Sequence, residues 1–318
     1  MNTIPQDDRS TEHGDTGRTR RGILKCMMWA GTGIVWTMSG GVPRGVGLGG
    51  EAIAAPTDGF SFVQISDSHI GFKLPPNPDP SGTLEQALAR IAALPNRPAL
   101  MIHTGDVSHL SKPDQFDTAG QIIKTARLDT HFVPGEHDVI GDDGKAFFAR
   151  FAKDATPGGW YSFDHGGVHF VALVNVLGFA PGVGGTLGAA QLEWLAGDLK
   201  DKSASTPIVV MAHIPLWSVY PQWGWVTGDA GQAMSSLKRF GSVTVLNGHI
   251  HQVIQKVEGQ VTFHTAMSTA FPLPAPGQAP APAPVKVAAD KLRSMLGVRQ
   301  IDYAPAAGLA ETDLTLAS

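Results

Sequence analysis

Seven residues in five short blocks have the types and spacing to hold metal ions. Asp67 and His69 lie in Asp67-Ser68-His69, and Asp106 follows Gly105. Glu136 lies in Gly135-Glu136-His137-Asp138, and His213 in Ala212-His213-Ile214-Pro215. His249 and His251 lie in Gly248-His249-Ile250-His251. Carboxylate and imidazole donors suit Fe, Mn or Zn. The one cysteine, Cys26, is far from all five blocks, so no thiolate joins the set. Taken singly, each block reads as a turn, a solvated loop or a buried histidine, because short matches arise often by chance. Two imidazoles two apart behind a glycine form the strongest single block. The force lies in the joint pattern: five blocks, each following an apolar run.

Those runs are the elements that must position the site. Strand patterns cover 60–66, 99–103, 130–133, 208–212 and 243–246, and one block follows each. In α/β sheets, ligand sites form at the C-terminal ends of strands. Five loops would then deliver their carboxylates and imidazoles to one place. Helical patterns at 83–94, 114–126 and 189–202 alternate with the strands, and Thr83 with Gln86 suggests a capping box. Residues 160–164 and 168–175 read as a hairpin across Gly166-Gly167, and 261–265 as a further strand. Residues 286–296 have the pattern of a small terminal helix.

The chain has 318 residues, 42% hydrophobic and 16% charged, with a formal charge of −4. This is the composition of a globular protein with a sizeable core. Without a basic surplus, nucleic acid is not an expected partner. Paired arginines within residues 19–25 precede an apolar run from Cys26 to about Ser39, and Ala52-Ile53-Ala54-Ala55 follows. Basic, apolar and small-residue regions in that order describe a signal peptide, and the paired arginines resemble the bacterial twin-arginine type. The apolar run is short for a membrane span of about 20 residues. The expectation is export to the periplasm with cleavage near Ala54 and no stable span afterwards. A membrane anchor retained at the N-terminus is the alternative. The expected organisation is a signal at 1–55, one domain at 56–271, and a Pro/Ala-rich segment with a C-terminal extension at 272–318.

The ordered set Asp-x-His, Gly-Asp, Gly-Glu-His-Asp, His and Gly-His-x-His resembles the calcineurin-like metallophosphoesterases. Residues 160–164 (WYSFD), 166–170 (GGVHF) and 191–195 (QLEWL) extend the resemblance over about 60–271. It is similar to a bacterial branch with class III cyclic-nucleotide phosphodiesterases and purple-acid-phosphatase-like proteins. The resemblance implies an α/β four-layer sandwich of two mixed β-sheets flanked by helices. It also implies hydrolysis of a small phosphomonoester or phosphodiester by a hydroxide bridging two cations roughly 3.5–4 Å apart. Asp67, His69 and His251 would hold one cation, Glu136, His213 and His249 the other, and Asp106 would bridge them. His137 would protonate the leaving oxygen or bind the phosphate. Twin-arginine export, which carries folded proteins, would suit an enzyme loaded with metal beforehand. A non-catalytic metal or phosphate-binding protein, or an enzyme of lipid-derived headgroups in the cell envelope, are the alternatives.

Two positions depart from the family pattern. Glu136 stands where relatives carry Asn. It offers oxygen to a metal but no donor to phosphate when ionised, and it makes three carboxylates in the ligand set where Asn would leave two. His109 stands where many relatives carry the Asp that orients the catalytic histidine. His109 is thus either a candidate donor to substrate phosphate or a plain structural residue at the pocket rim, and the partner of His137 is left open. His103 and His264 are expected to be structural, and they are candidates to support the ligands from behind. His131, His165 and His169 are expected to be structural, and Trp217, Trp223 and Trp225 either wall a pocket or pack.

Overall fold

A computed structural model describes residues 34–39, 42–47, 59–152 and 155–317. The chain divides into two compact units, Met1–Ala54 and Ala55–Ser318. In the first, β1 (Ile34–Ser39) and β2 (Val42–Gly47) pair antiparallel. The basic segment and the cleavage pattern expected of a signal peptide lie outside the described residues. Among the described residues, no helix is long and apolar enough to cross a membrane.

The second unit holds two mixed sheets. One contains β3 (Phe60–Ile65), β4 (Leu100–His103), β5 (Asp129–Phe132), β12 (Gly297–Ala304) and β13 (Gly308–Thr315), in the order β13-β12-β3-β4-β5. Its strands β3, β4 and β5 run parallel, while β12 is antiparallel to both of its neighbours. The other contains β6 (Tyr161–His165), β7 (Val168–Ala172), β8 (Ile208–Met211), β9 (Val243–Asn247), β10 (Gln255–Glu258) and β11 (Val261–Thr265). Their order is β10-β11-β9-β8-β7-β6, parallel from β7 to β11 with antiparallel edges.

Strand alternation builds the layers. Phe62, Leu100, Ile102 and Ile301 of the first sheet meet Phe170, Val209, Met211 and Leu246 of the second in a central core. The opposite face of the first sheet, with Val63, Ile65 and Met101, packs under four helices. These are α1 (Pro80–Ala92), α2 (Pro113–Lys124), α3 (Lys145–Phe151) and α6 (Ala289–Leu292). Val171, Val210, Val245 and Phe263 pack under α4 (Ala189–Leu199) and α5 (Ala230–Leu237). Helix, sheet, sheet and helix give the expected four-layer sandwich. The hairpin at Gly166-Gly167 forms, with φ of 56° and 82° at its two glycines.

Two expectations change. The cap of α1 is Asp79, whose carboxylate accepts from the Gly82 N–H, with Pro80 opening the helix. Thr83 instead donates to the Pro80 carbonyl from inside the first turn. The boundary expected at 271 falls inside the second unit. Val298, Ile301 and Tyr303 are buried, and residues 299–303 of β12 pair with β3, so the C-terminal strands complete a sheet and are no extension of it. The Pro/Ala-rich segment that leads there lies outside regular helix and strand.

Candidate metal centre

Strands β3, β4 and β5 end side by side in one sheet, and β8 and β9 do so in the other. Each releases its loop at the same edge of the sandwich. Asp67 and His69 follow β3, Asp106 and His109 follow β4, and Glu136 and His137 follow β5. His213 follows β8, and His249 and His251 follow β9. All seven expected ligands converge. Ligand atoms of Asp67, His69 and His251 lie within 4.8 Å of one another, as do those of Glu136, His213 and His249. Asp106 joins the two groups. Its Oδ2 is 3.4 Å from His69 Nε2 on one side and 3.4 Å from His213 Nε2 on the other.

The loops must make tight turns to aim these groups. Asp67, His69, Asp106, His249 and His251 all have positive φ, between 42° and 70°. Such backbone costs non-glycine residues roughly 1 kcal/mol or more each, and it persists where surrounding structure imposes it. The glycines in the blocks permit close approach. A Cβ on Gly135 would sit 2.0 Å from Asp106 Oδ1, and one on Gly248 would sit 2.2 Å from Ser66 Oγ. Hydrogen bonds lock the loops together. The His249 N–H donates to Asp67 Oδ1, and the His137 N–H donates to Asp106 Oδ1.

Orientation of the imidazoles favours ligation. His213 Nδ1–H donates to the Thr104 carbonyl and His251 Nδ1–H to the Phe271 carbonyl, each at 2.6 Å. Each ring then presents Nε2 to the centre, the arrangement found behind metal-binding histidines. Nε2 of His213, Nε2 of His249 and Oδ2 of Asp67 are buried with no hydrogen-bond partner. An unsatisfied buried polar atom costs about 1–3 kcal/mol. His213 Nε2 faces the Asp106 and Glu136 carboxylates, where a cation would satisfy it, and the two three-residue groups joined through Asp106 fit a binuclear centre.

The charges are closely balanced. Burial alone would raise the Asp67 carboxyl, but His251 and His213 outweigh it and hold its pKa at about 2. Burial likewise opposes ionisation of Glu136, and His249 and His213 hold it well below the usual carboxylate range. Glu136 lies 2.9 Å from His213 Nε2 and 3.0 Å from His249 Nδ1.

The open question about His137 has a backbone answer. Its Nδ1–H donates to the main-chain carbonyl of His109 at 2.7 Å. The His109 ring stacks on His137, with centroids 4.8 Å apart and planes 15° apart, and its Nδ1 is 3.3 Å from His69 Nδ1. The carbonyl therefore orients His137, and the side chain of residue 109 braces it. Burial lowers the His137 pKa, but Asp106, Glu136 and the His109 carbonyl overcome this and raise it. Burial and His137 push His109 down to about 4.

Asp138 is a structural residue the sequence reading passed over. Buried behind His137, its carboxylate accepts from the N–H groups of Val107, Ser108 and Gly135 and from Ser108 Oγ, tying the β4 and β5 loops together. Its place in Gly-Glu-His-Asp was the only signal. The supporting histidines divide. His103 holds Ser68 Oγ and the Gly105 N–H beneath the site, as expected. His264 instead lies 2.8 Å from Glu311 of β13, so it does not support the ligands. Trp217, Trp223 and Trp225 are buried, packing against Phe263, each other and Ile250.

A family model described as calcineurin-like phosphoesterase matches residues 60–253. Over 219 residues the chain is 26% identical to a 3′,5′-cyclic-nucleotide phosphodiesterase of Nostoc, covering 67% of this chain and 79% of that protein. It is 24% identical over 225 residues to a glycerophosphodiester phosphodiesterase of Enterobacter lignolyticus, covering 67% and 78%. Among solved structures, a dimetal phosphatase of Danio rerio superposes with a TM-score of 0.54 at 15% identity, over 81% of this chain and 98% of that one. This last likeness is one of fold.

Proposed function

The chain belongs to the calcineurin-like phosphoesterase family and is a hydrolase of phosphoric esters, and from that premise we propose a binuclear centre with assigned ligands and an assigned acid. Asp67, His69 and His251 would hold one cation and Glu136, His213 and His249 the second, with Asp106 between the two groups. The observation that carries this reading is the pair of buried three-residue groups joined through Asp106. Two cations supply Lewis acidity toward phosphoryl oxygens and lower the pKa of water.

The chain's own residues supply the rest. His251 and His213 are fixed through Nδ1 to carbonyls, which sets their tautomer before any ligand arrives. His137 is fixed in the same way and faces the Asp106 and Glu136 carboxylates, which raise its pKa against the effect of burial. It is the general acid, donating a proton from Nε2 to the leaving oxygen. His109 braces that ring and offers a second imidazole beside the phosphate. Glu136 brings a third carboxylate to the ligand set. It favours a metal pair of higher charge, one containing Fe(III), over two divalent Mn or Zn ions.

The deciding experiment combines metal analysis with hydrolysis of bis(p-nitrophenyl) phosphate and p-nitrophenyl phosphate. Two ions per chain, one of them iron, with turnover of at least one ester is the expected result. Full occupancy without turnover would make the chain a binding protein. Two zinc ions and no iron would refute the Fe(III) assignment. For location, we propose twin-arginine export and cleavage near Ala54, on the order of basic, apolar and small-residue regions within 19–55. N-terminal sequencing of periplasmic protein tests it, and an intact Met1 would refute it.

A further inference from the structure

A cleft of about 350 Å³ opens directly beside Glu136 and His137. Its walls come from the loops after β5 and β7, and they are mostly apolar: Val139, Ile140, Val176, Leu177, Phe179 and Pro181. The volume sits at the low end for small-molecule pockets, roughly 300–1,000 Å³. Phe179 ties this wall to the metal centre, with its ring edge-on to His249 at 5.7 Å between centroids. Ile140, at the rim, is 49% exposed, unusually open for an isoleucine.

Away from the metal centre, the charge of the cleft is acidic. Among the described residues, no lysine or arginine lines it. Its titratable groups are the carboxylates of Glu136 and Asp143 and the imidazole of His137; Glu136 and His137 lie at the metal centre, and Asp143 is exposed at the mouth. A phosphomonoester with a second pKa near ~6 carries close to two negative charges above neutral pH. A diester carries one, and its second ester group must occupy space next to the phosphate. Carboxylates repel the dianion more than the monoanion. An apolar wall gains from burying a hydrocarbon arm and gains nothing from a bare phosphoryl oxygen.

We infer that this cleft is an ester-arm subsite, selecting phosphodiester monoanions whose arm beside Glu136 and His137 is apolar and uncharged, of about aryl size, against phosphomonoesters and diesters with anionic arms. The inference rests on the phosphoesterase reading above and narrows it to a substrate class. Ile140, Phe179 and Asp143 are its specificity-determining residues. The arm lies against His137, so the group leaving from that side is the one His137 can protonate.

Two measurements on the metal-loaded full chain test it. Calorimetric binding compares diphenyl phosphate, dimethyl phosphate and phenyl phosphate, and needs no turnover. Diphenyl phosphate should bind at least about tenfold more tightly than dimethyl phosphate, in the range that small apolar groups contribute to discrimination. Ile140→Ser, at an exposed site that tolerates polarity, and Phe179→Ala should each shrink that ratio severalfold, and Asp143→Asn should strengthen phenyl phosphate selectively. Steady-state kinetics should show bis(p-nitrophenyl) phosphate preferred over p-nitrophenyl phosphate in kcat/KM by at least about tenfold. Equal binding of the two diesters, or variants that leave their ratio unchanged, overturns the subsite while hydrolysis stands. Tight, Ile140-sensitive binding of diphenyl phosphate without hydrolysis of any ester upholds the subsite and defeats the enzymatic reading.

Discussion

Two clusters of histidine and aspartate in the second unit, one buried and one opening to solvent at Asp164, are built in opposite ways. At the strand ends, Asp67, His69, Asp106, His249 and His251 sit on positive-φ backbone, and three buried donor atoms lack hydrogen-bond partners. On the second sheet, buried His169 of β7 has every ring nitrogen occupied. Nδ1 lies 2.7 Å from Asp164 Oδ1, and Nε2 lies 2.8 Å from Asp198 Oδ2. Lys202 closes on Asp164, Ser162 Oγ donates to Asp198, and none of the three cluster residues has positive φ. One cluster is complete in itself. The other bears strained backbone and crowded carboxylates and imidazoles that a bound cation would relieve, which separates a functional site from a structural one.

The largest expected effect breaks the strand-end cluster. His213 contributes to both halves, grouping with Glu136 and His249 and also with Asp67 and Asp106. His213→Ala should remove at least one cation per chain. Its cost in metal affinity should exceed the roughly 10–100-fold typical of losing an outer partner, and hydrolysis should fall with it. His169→Ala should leave metal content unchanged. Plasma mass spectrometry of both variants reads the contrast, and a fully loaded His213→Ala protein would erase it.

Next in size is a change inside the site that spares the metals. His137 donates to the His109 carbonyl and is outside the two groups assigned to the cations, although it also clusters with Asp106 and Glu136. His137→Ala should lower kcat by roughly 10²–10⁴, the usual worth of a positioned acid, with metal content intact. An acid with a raised pKa stays protonated to higher pH, so the alkaline limb of the wild-type kcat profile should disappear in the variant. Loss of metal from this variant would instead make His137 a ligand.

Much of this contrast was legible in the residue order. Apolar runs at 60–66, 99–103, 208–212 and 243–246 became strands because each is buried in a sheet, and the polar blocks follow them where parallel strands release their loops. His169 lacked that context, lying inside a strand, and its structural reading holds. Strand β12 was missed because its apolar residues break the alternation, Val298 facing the helices and Ile301 and Tyr303 the central core, and only pairing with β3 makes a strand of them. The partner of His137 was invisible for a different reason. A main-chain carbonyl belongs to every residue, so no residue type at position 109 announces it. The strain at Asp67 and His251 is likewise a property of loop geometry, which spacing does not encode.

The smallest effect sharpens the comparison from the other side. Burial opposes protonation of His169, but hydrogen bonds to Asp198 and Asp164 prevail and raise its pKa. Those carboxylates are lowered, burial again opposing, by Lys202 and His169 at Asp164 and by His169 and Ser162 at Asp198. A raised histidine stabilises the fold below its unfolded pKa and loses that contribution as pH rises through the folded value. A lowered carboxylate stabilises above its unfolded pKa and loses that contribution as pH falls through the folded value. The cluster therefore contributes most between the ordinary carboxylate and imidazole ranges, about pH 4 to 6.5, and fades on both sides. Asp164 is largely exposed, so screening limits its share. His169→Phe should cost about 1–2 kcal/mol within that window and less at pH 9. Urea unfolding of wild type and variant at pH 5.5 and pH 9 measures the difference, and a pH-independent cost would assign His169 to packing alone.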